Sequence, residues 1–122
     1  MLARFLLYYY PLMDLTDVLK ALADTNRLRI LNLLGEQTLC VCDLEEVLKL
    51  NQSNLSRHLA KLKLAGLVTA QKKGLFIYYS RKPLPPPYNE FVQDLYGAMV
   101  QQGEWEADRQ ALEQRASCAP VS

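Results

Sequence analysis

Residues 39–46 read LCVCDLEE and hold two of the chain's three cysteines, Cys40 and Cys42, one residue apart. Thiolates are soft ligands, so a close pair of them selects thiophilic ions. Both can hold one ion only if their sulfurs converge. Within an α-helix, residues i and i+2 point away from each other; in extended chain they lie on one side, with Cα atoms roughly 6–7 Å apart. The expectation is therefore that Cys40 and Cys42 precede a helix in extended or irregular chain and that Asp43 caps it, with Glu46 completing a capping box. A thiol at a helix start is also expected to have a lowered pKa. The plainer alternative is that both cysteines are buried hydrophobes, with Cys42 stapled onto Val47.

The elements that must position this pair follow from periodicity. In residues 14–24, Leu15, Val18, Leu19 and Leu22 make one stripe of a short helix. A second helix starts at Asp24 or Thr25, carries Leu28, Leu31 and Leu34, and stops at Gly35. A third, DLEEVLKL, turns Leu44, Val47 and Leu48 inward. After a tight polar turn, residues 53–66 form a fourth helix with Asn51 as a candidate cap. Two strand-like runs, LVTAQ and LFIYYS, are joined by KKG as a hairpin. After the break KPLPPP, YNEFVQDLYGAMV is helical again, with Phe91, Leu95 and Ala98 or Met99 on one face, as far as an interruption at Gly103. The fold class is mainly α with a two-stranded hairpin, a winged helix-turn-helix whose fourth helix is the recognition helix. Residues 1–13 read as an apolar arm, 14–103 as the winged helix-turn-helix domain, and 104–122 as a tail.

With Leu55, Leu59 and Leu62 inward, the fourth helix turns Ser53, Arg57 and Ala60 outward, flanked by Ser56 and Lys61. Small residues permit close approach to base edges, and Arg can bond guanine in bidentate fashion. The candidate DNA contacts are Gln52, Ser53, Asn54, Ser56, Arg57, His58 and Lys61 on the helix, and Lys72 and Lys73 on the hairpin. His58, the only histidine, reads first as a half-buried structural residue or phosphate contact, because no second ligand stands at helical spacing.

Charge distribution agrees. The chain has 122 residues and a net charge of only +1, yet residues 52–82 hold seven basic residues and no acidic one. Such a block is the footprint of a polyanion partner. Half the residues are hydrophobic, enough for one small core that a second copy would help to stabilise. The odd cysteine count and the lack of a cleavage site after the apolar opening suit a reducing cytoplasm, with no membrane span. There is no catalytic constellation and no phosphate-binding glycine loop, so an enzyme is not expected.

ALADTNRLRILNLL, LCVCDL, QSNLSRHLAKLKLAGLV and KKGLFIYYS, in this order, resemble the ArsR/SmtB family of winged-helix repressors over roughly residues 14–82. The CVCDL stretch resembles the arsenite-binding element of its arsenic-responsive branch. The resemblance implies a homodimer built on the first and last helices. It also implies a repressor of double-stranded operator DNA, needing no cofactor to bind, that lets go when As(III) or Sb(III) reaches Cys40 and Cys42. The familiar pattern has a third cysteine where this chain has Glu45, a hard ligand. The third sulfur is then expected from Cys118, from a small thiol, or from nothing. The zinc-responsive pattern needs histidine on the last helix, which this chain lacks. The alternative reading is a winged-helix regulator whose thiols sense oxidants.

Overall fold

The computed structural model describes residues 14–115. In chain order the elements are α1 (Leu15–Leu22), α2 (Thr25–Leu34), β1 (Leu39–Cys40), α3 (Val41–Leu48) and α4 (Gln52–Leu64). They continue with β2 (Val68–Lys73), β3 (Phe76–Arg81), α5 (Tyr88–Gln101), a 3₁₀ turn (Gly103–Trp105) and α6 (Glu106–Gln114). This is a winged helix-turn-helix, as expected, with one strand more than the sequence suggested. Leu39 pairs with Tyr79 and Cys40 with Tyr78, so the sheet is antiparallel with order β1-β3-β2. Two residues are too short a run to show alternation, which is why this strand has no signature.

Local chemistry accounts for most boundaries. Asp14, Asp24 and Asn51 cap α1, α2 and α4, each carboxylate or amide oxygen accepting a backbone N–H of the first turn. Between α3 and α4 the chain reverses at Lys49, which adopts the left-handed conformation (φ 57°). In the hairpin, Lys72 and Lys73 belong to β2, opposite Ile77 and Phe76, and are not part of the turn. The two-residue loop is Gly74–Leu75, with positive φ at Gly74 alone, the pattern of a II′ hairpin.

The core is a leucine cluster shared by all the helices. Leu31, Leu34, Leu44, Leu55, Leu62 and Leu67 have no exposed surface. The inward stripes expected for α3 and α4 are the observed ones. On α1 the buried set is Val18, Ala21 and Leu22, while Leu15 and Leu19 are exposed. On α5 it is Val92, Tyr96 and Met99; Phe91 is half exposed and Leu95 only partly buried. Periodicity found the helix there but misjudged its rotation by about one residue, since apolar residues occur on both faces.

Residues 103–114 pack into the same core through Leu112 and Trp105. Polar ties hold α6 down. Arg29 forks onto Asp108 (2.7 and 3.0 Å), Arg109 donates to Asn32 Oδ1 (2.6 Å), and Asn32 donates to the Trp105 carbonyl (2.9 Å). The arm, 1–13, lies outside the described residues. Among the described residues, no helix is long and apolar enough to cross a membrane.

Truncating the recognition helix on its inner face should be far more costly than on its outer face. Leu59→Ala should lower stability by about 2–5 kcal/mol, and Leu64→Ala, at a side chain 73% exposed, by less than about 0.5 kcal/mol. Urea unfolding checks this: the midpoint should fall for Leu59→Ala with an unchanged slope.

Candidate functional site

The thiol pair lies at the junction of β1 and α3. Its geometry differs from the expectation. Cys40 itself is the N-cap (φ −78°, ψ 161°), its Sγ accepting the Asp43 N–H at 3.3 Å, and Cys42 lies inside the first turn of the helix. Asp43 is therefore not the cap. Its side chain is buried, and its Oδ2 accepts a hydrogen bond from the Cys40 thiol at 3.2 Å. The sulfurs still converge, because the cap residue is extended and the opposition of i and i+2 applies only inside a helix. The ligand atoms of Cys40, Cys42 and Asp43 all lie within 4.8 Å of one another.

The lowered thiol pKa expected at a helix start is reversed for Cys40. Burial pushes its pKa up; the Asp43 carboxylate adds to the rise, and the backbone N–H groups of Asp43 and Cys42 offset it only in part. Cys40 is free and wholly buried. Cys42 is disulfide-bonded. Cys42 opens onto a groove of about 470 Å³ between α3, α4 and the hairpin, together with Glu45, Ser56, Lys63, Phe76 and Tyr79. Glu45 thus stands at the mouth of the site, while Asp43, which sequence reasoning took only for a cap, supplies the nearby oxygen. Its adjacency to C-x-C is the signal that could have raised it as a ligand. Cys118 lies outside the described residues.

The recognition helix presents the face that its sequence suggests. Gln52, Ser53, Ser56, Arg57 and Lys61 are exposed and Asn54 is half-buried. The Asn51 side chain accepts the Asn54 N–H at 2.8 Å, and Arg57 donates to Asn54 Oδ1, which aims the guanidinium along the helix surface. Lys72 and Lys73 are exposed on β2, with the Lys73 ammonium 5.7 Å from the Tyr78 ring centre. One member of the basic block turns inward: Arg81 donates to the Leu31 carbonyl at 2.8 Å and stacks on Tyr96.

His58 is structural in position. Its Nδ1 lies 3.2 Å from Arg27 Nη1 and 3.9 Å from Asp24 Oδ1. Arg27, itself buried, also donates to the Ala21 and Lys20 carbonyls at 2.7 and 3.0 Å. One guanidinium thus ties the end of α1 to the recognition helix. Sequence reasoning missed Arg27; its place beside the apolar stripe of α2 was the only sign.

A family model described as "Bacterial regulatory protein, arsR family" matches residues 24–70. The arsenic resistance transcriptional regulator ArsR1 of Pseudomonas putida is 39% identical over 89 residues, which cover 72% of this chain and 68% of that protein. The arsenical resistance operon repressor of Escherichia coli is 43% identical over 79 residues, covering 64% of this chain and 68% of the relative. Among solved structures, HlyU from Vibrio cholerae superposes with a TM-score of 0.61 at 34% identity, covering 70% of this chain and 91% of HlyU.

Burial is the largest influence on His58. Asp24 opposes it, while Arg27, Arg57 and Lys61 reinforce it, and the pKa falls below the ordinary 6.5. The unfolded chain therefore takes up a proton that the folded chain resists, and stability should decline as pH falls below about 6.5. His58→Gln should flatten that decline in urea midpoints measured between pH 5 and 8.

Proposed function

The chain belongs to the arsR family, DNA-binding transcriptional regulators rather than enzymes, and from that premise we propose that it is a repressor released from operator DNA by As(III) or Sb(III). The observation that carries this reading is the convergence of Cys40, Cys42 and Asp43 at the first turn of α3. That helix leads through a three-residue turn into α4, so a change in its entry is a change in the support of the recognition helix.

Arsenite, As(OH)₃, suits two soft donors. Each thiol that bonds arsenic gives its proton to a departing hydroxyl, which leaves as water; an As–S bond replaces an As–O bond and no oxidation occurs. The buried, protonated Cys40 is reached through the more open Cys42, which must first be reduced. The third position falls to Cys118 or to a small thiol, with Asp43 as the oxygen at hand.

DNA is read by the exposed face of α4. Arg57 discriminates a base, Gln52, Ser53, Asn54, Ser56 and Lys61 contact bases or phosphates, and His58 supports the helix from beneath. Lys72 and Lys73 hold the backbone or minor groove. A homodimer through α1 and α5, the first and last helices of residues 14–103, fits the apolar side chains left outside: Leu15 and Leu19 on α1 and Phe91 and Val100 on α5 are between 44% and 63% exposed. Two copies would place α4 helices in successive major grooves of an inverted repeat. A second reading, release by thiol oxidation, is favoured by one observation, the disulfide at Cys42.

Cys40→Ser and Cys42→Ser should each keep operator affinity and lose release by arsenite, because a hydroxyl preserves size without the soft sulfur. Anaerobic titration of the phosphine-reduced protein on its operator tests this. Release by peroxide but not by arsenite would select the second reading.

On the DNA side, Arg57→Ala should weaken specific binding by roughly 1–3 kcal/mol and relax one base position. Lys73→Ala should weaken all sequences alike and lower the salt slope. Binding curves on single-base operator variants at several salt concentrations separate the two effects.

A further inference from the structure

We infer that Asp43 and Arg115 form a relay through which the C-terminal helix α6 reads the state of the thiol site, an inference that rests on the inducer reading above. The two oxygens of Asp43 face different ways. Oδ2 accepts from the Cys40 thiol at 3.2 Å, and Oδ1 stands 3.3 Å from Arg115 Nε. Both side chains of the ion pair are largely enclosed, 6% exposed for Asp43 and 19% for Arg115. Arg115 is the C-cap residue of α6, and its Nη1 donates to the Leu112 carbonyl at 2.6 Å. The Nε atom is buried and makes no hydrogen bond of good geometry. Asp43 is thus the charged group that holds the guanidinium in place.

The other polar ties of α6 run to α2, through Arg29–Asp108 and Arg109–Asn32. The Asp43–Arg115 pair connects it to α3. Helix α6 therefore braces the scaffold helix and the thiol-bearing helix together, its first turn pinned by forked bonds to α2 and its C-terminal end tied by an ion pair that shares its carboxylate with a candidate ligand.

An ion on Cys40 Sγ takes the place of the thiol hydrogen that Oδ2 accepts. The carboxylate must then turn, either onto the ion, within whose reach it already lies, or away from the sulfur. Each movement draws Oδ1 from a guanidinium nitrogen that is buried and poorly bonded. A buried charge that loses its partner is strongly destabilised, so α6 shifts on its seat, and the Gly103–Trp105 turn that leads into it shifts with it. Arg115 acts here as a positioning residue and touches no ion.

The molecule contains its own reporter. Trp105, the only tryptophan, opens the segment that leads into α6; it is packed against the core, its carbonyl held by Asn32 and its indole N–H by Gln102 Oε1 at 3.0 Å. The test is a titration of the full, phosphine-reduced chain with arsenite, followed by equilibrium dialysis for binding and by Trp105 emission for the response. In the unaltered chain, emission should shift in step with binding. In Arg115→Met, arsenite affinity should stay within about twofold while the emission change falls to less than half, and Arg115→Lys should restore part of it. A residue serving stability alone would leave the response intact. An Arg115→Met response equal to the original overturns the relay. Absence of arsenite binding to either protein overturns the inducer reading, and the relay with it. Should Arg115→Met fail to fold, hydrogen exchange of α6 amides in the unaltered chain decides: faster exchange with arsenite supports the relay, and unchanged exchange overturns it.

Discussion

The burial of one face of α4 against α2 and α3 is the constraint on which the remainder of the structure rests. Leu55, Leu59 and Leu62 leave at most 1% of their surface exposed, among leucines of the two preceding helices that are equally enclosed. A helix seated so deeply along one stripe cannot roll, so its opposite face has a fixed direction. The exposed Ser53, Ser56, Arg57 and Lys61 are aimed by leucines that never meet solvent. Side chains that read DNA need this kind of support, because affinity for a base edge depends on tenths of an ångström.

The same packing explains what the sequence reveals. Where one face is apolar and the other polar, as in α3 and α4, the buried residues can be named from spacing alone. Capping residues were equally legible: Asp24, Asn51 and Gly35 stand where their chemistry places them. Helix α5 was harder, because Phe91 and Val100 share it with Val92, Tyr96 and Met99, and a helix apolar on two sides gives no unique rotation. Residues 104–114, which the sequence reads as part of a tail, carry only Leu112 and Trp105 as apolar anchors, and the polar ties that dock them join residues more than seventy positions apart.

The thiol site divides along the same line. That Cys40 and Cys42 stand at a helix entrance was readable. That Cys40 is the cap was not, because sulfur is a poor acceptor and Asp43, three residues along, is an ordinary choice for that role. The raised pKa of Cys40 likewise depends on burial by residues distant in sequence. Long-range polar contacts such as Arg27 with His58 leave no local pattern, since the partners stand 31 positions apart.

One consequence of the short strand β1 lies in mechanics. Cys40 is paired with Tyr78, so the residue that caps the thiol helix is also a rung of the sheet from which the hairpin projects. The hairpin acts as a lever arm with its fulcrum at that rung. From Tyr78 to the tip at Leu75 the arm measures roughly 10 Å, and a tilt of about 10° at the fulcrum sweeps Leu75 and the nearby Lys73 sideways by nearly 2 Å, close to the axial spacing of charge along duplex DNA with both strands counted, about 1.7 Å. One strand pairing thus joins the cap of the thiol helix to the exposed tip of the hairpin at Leu75.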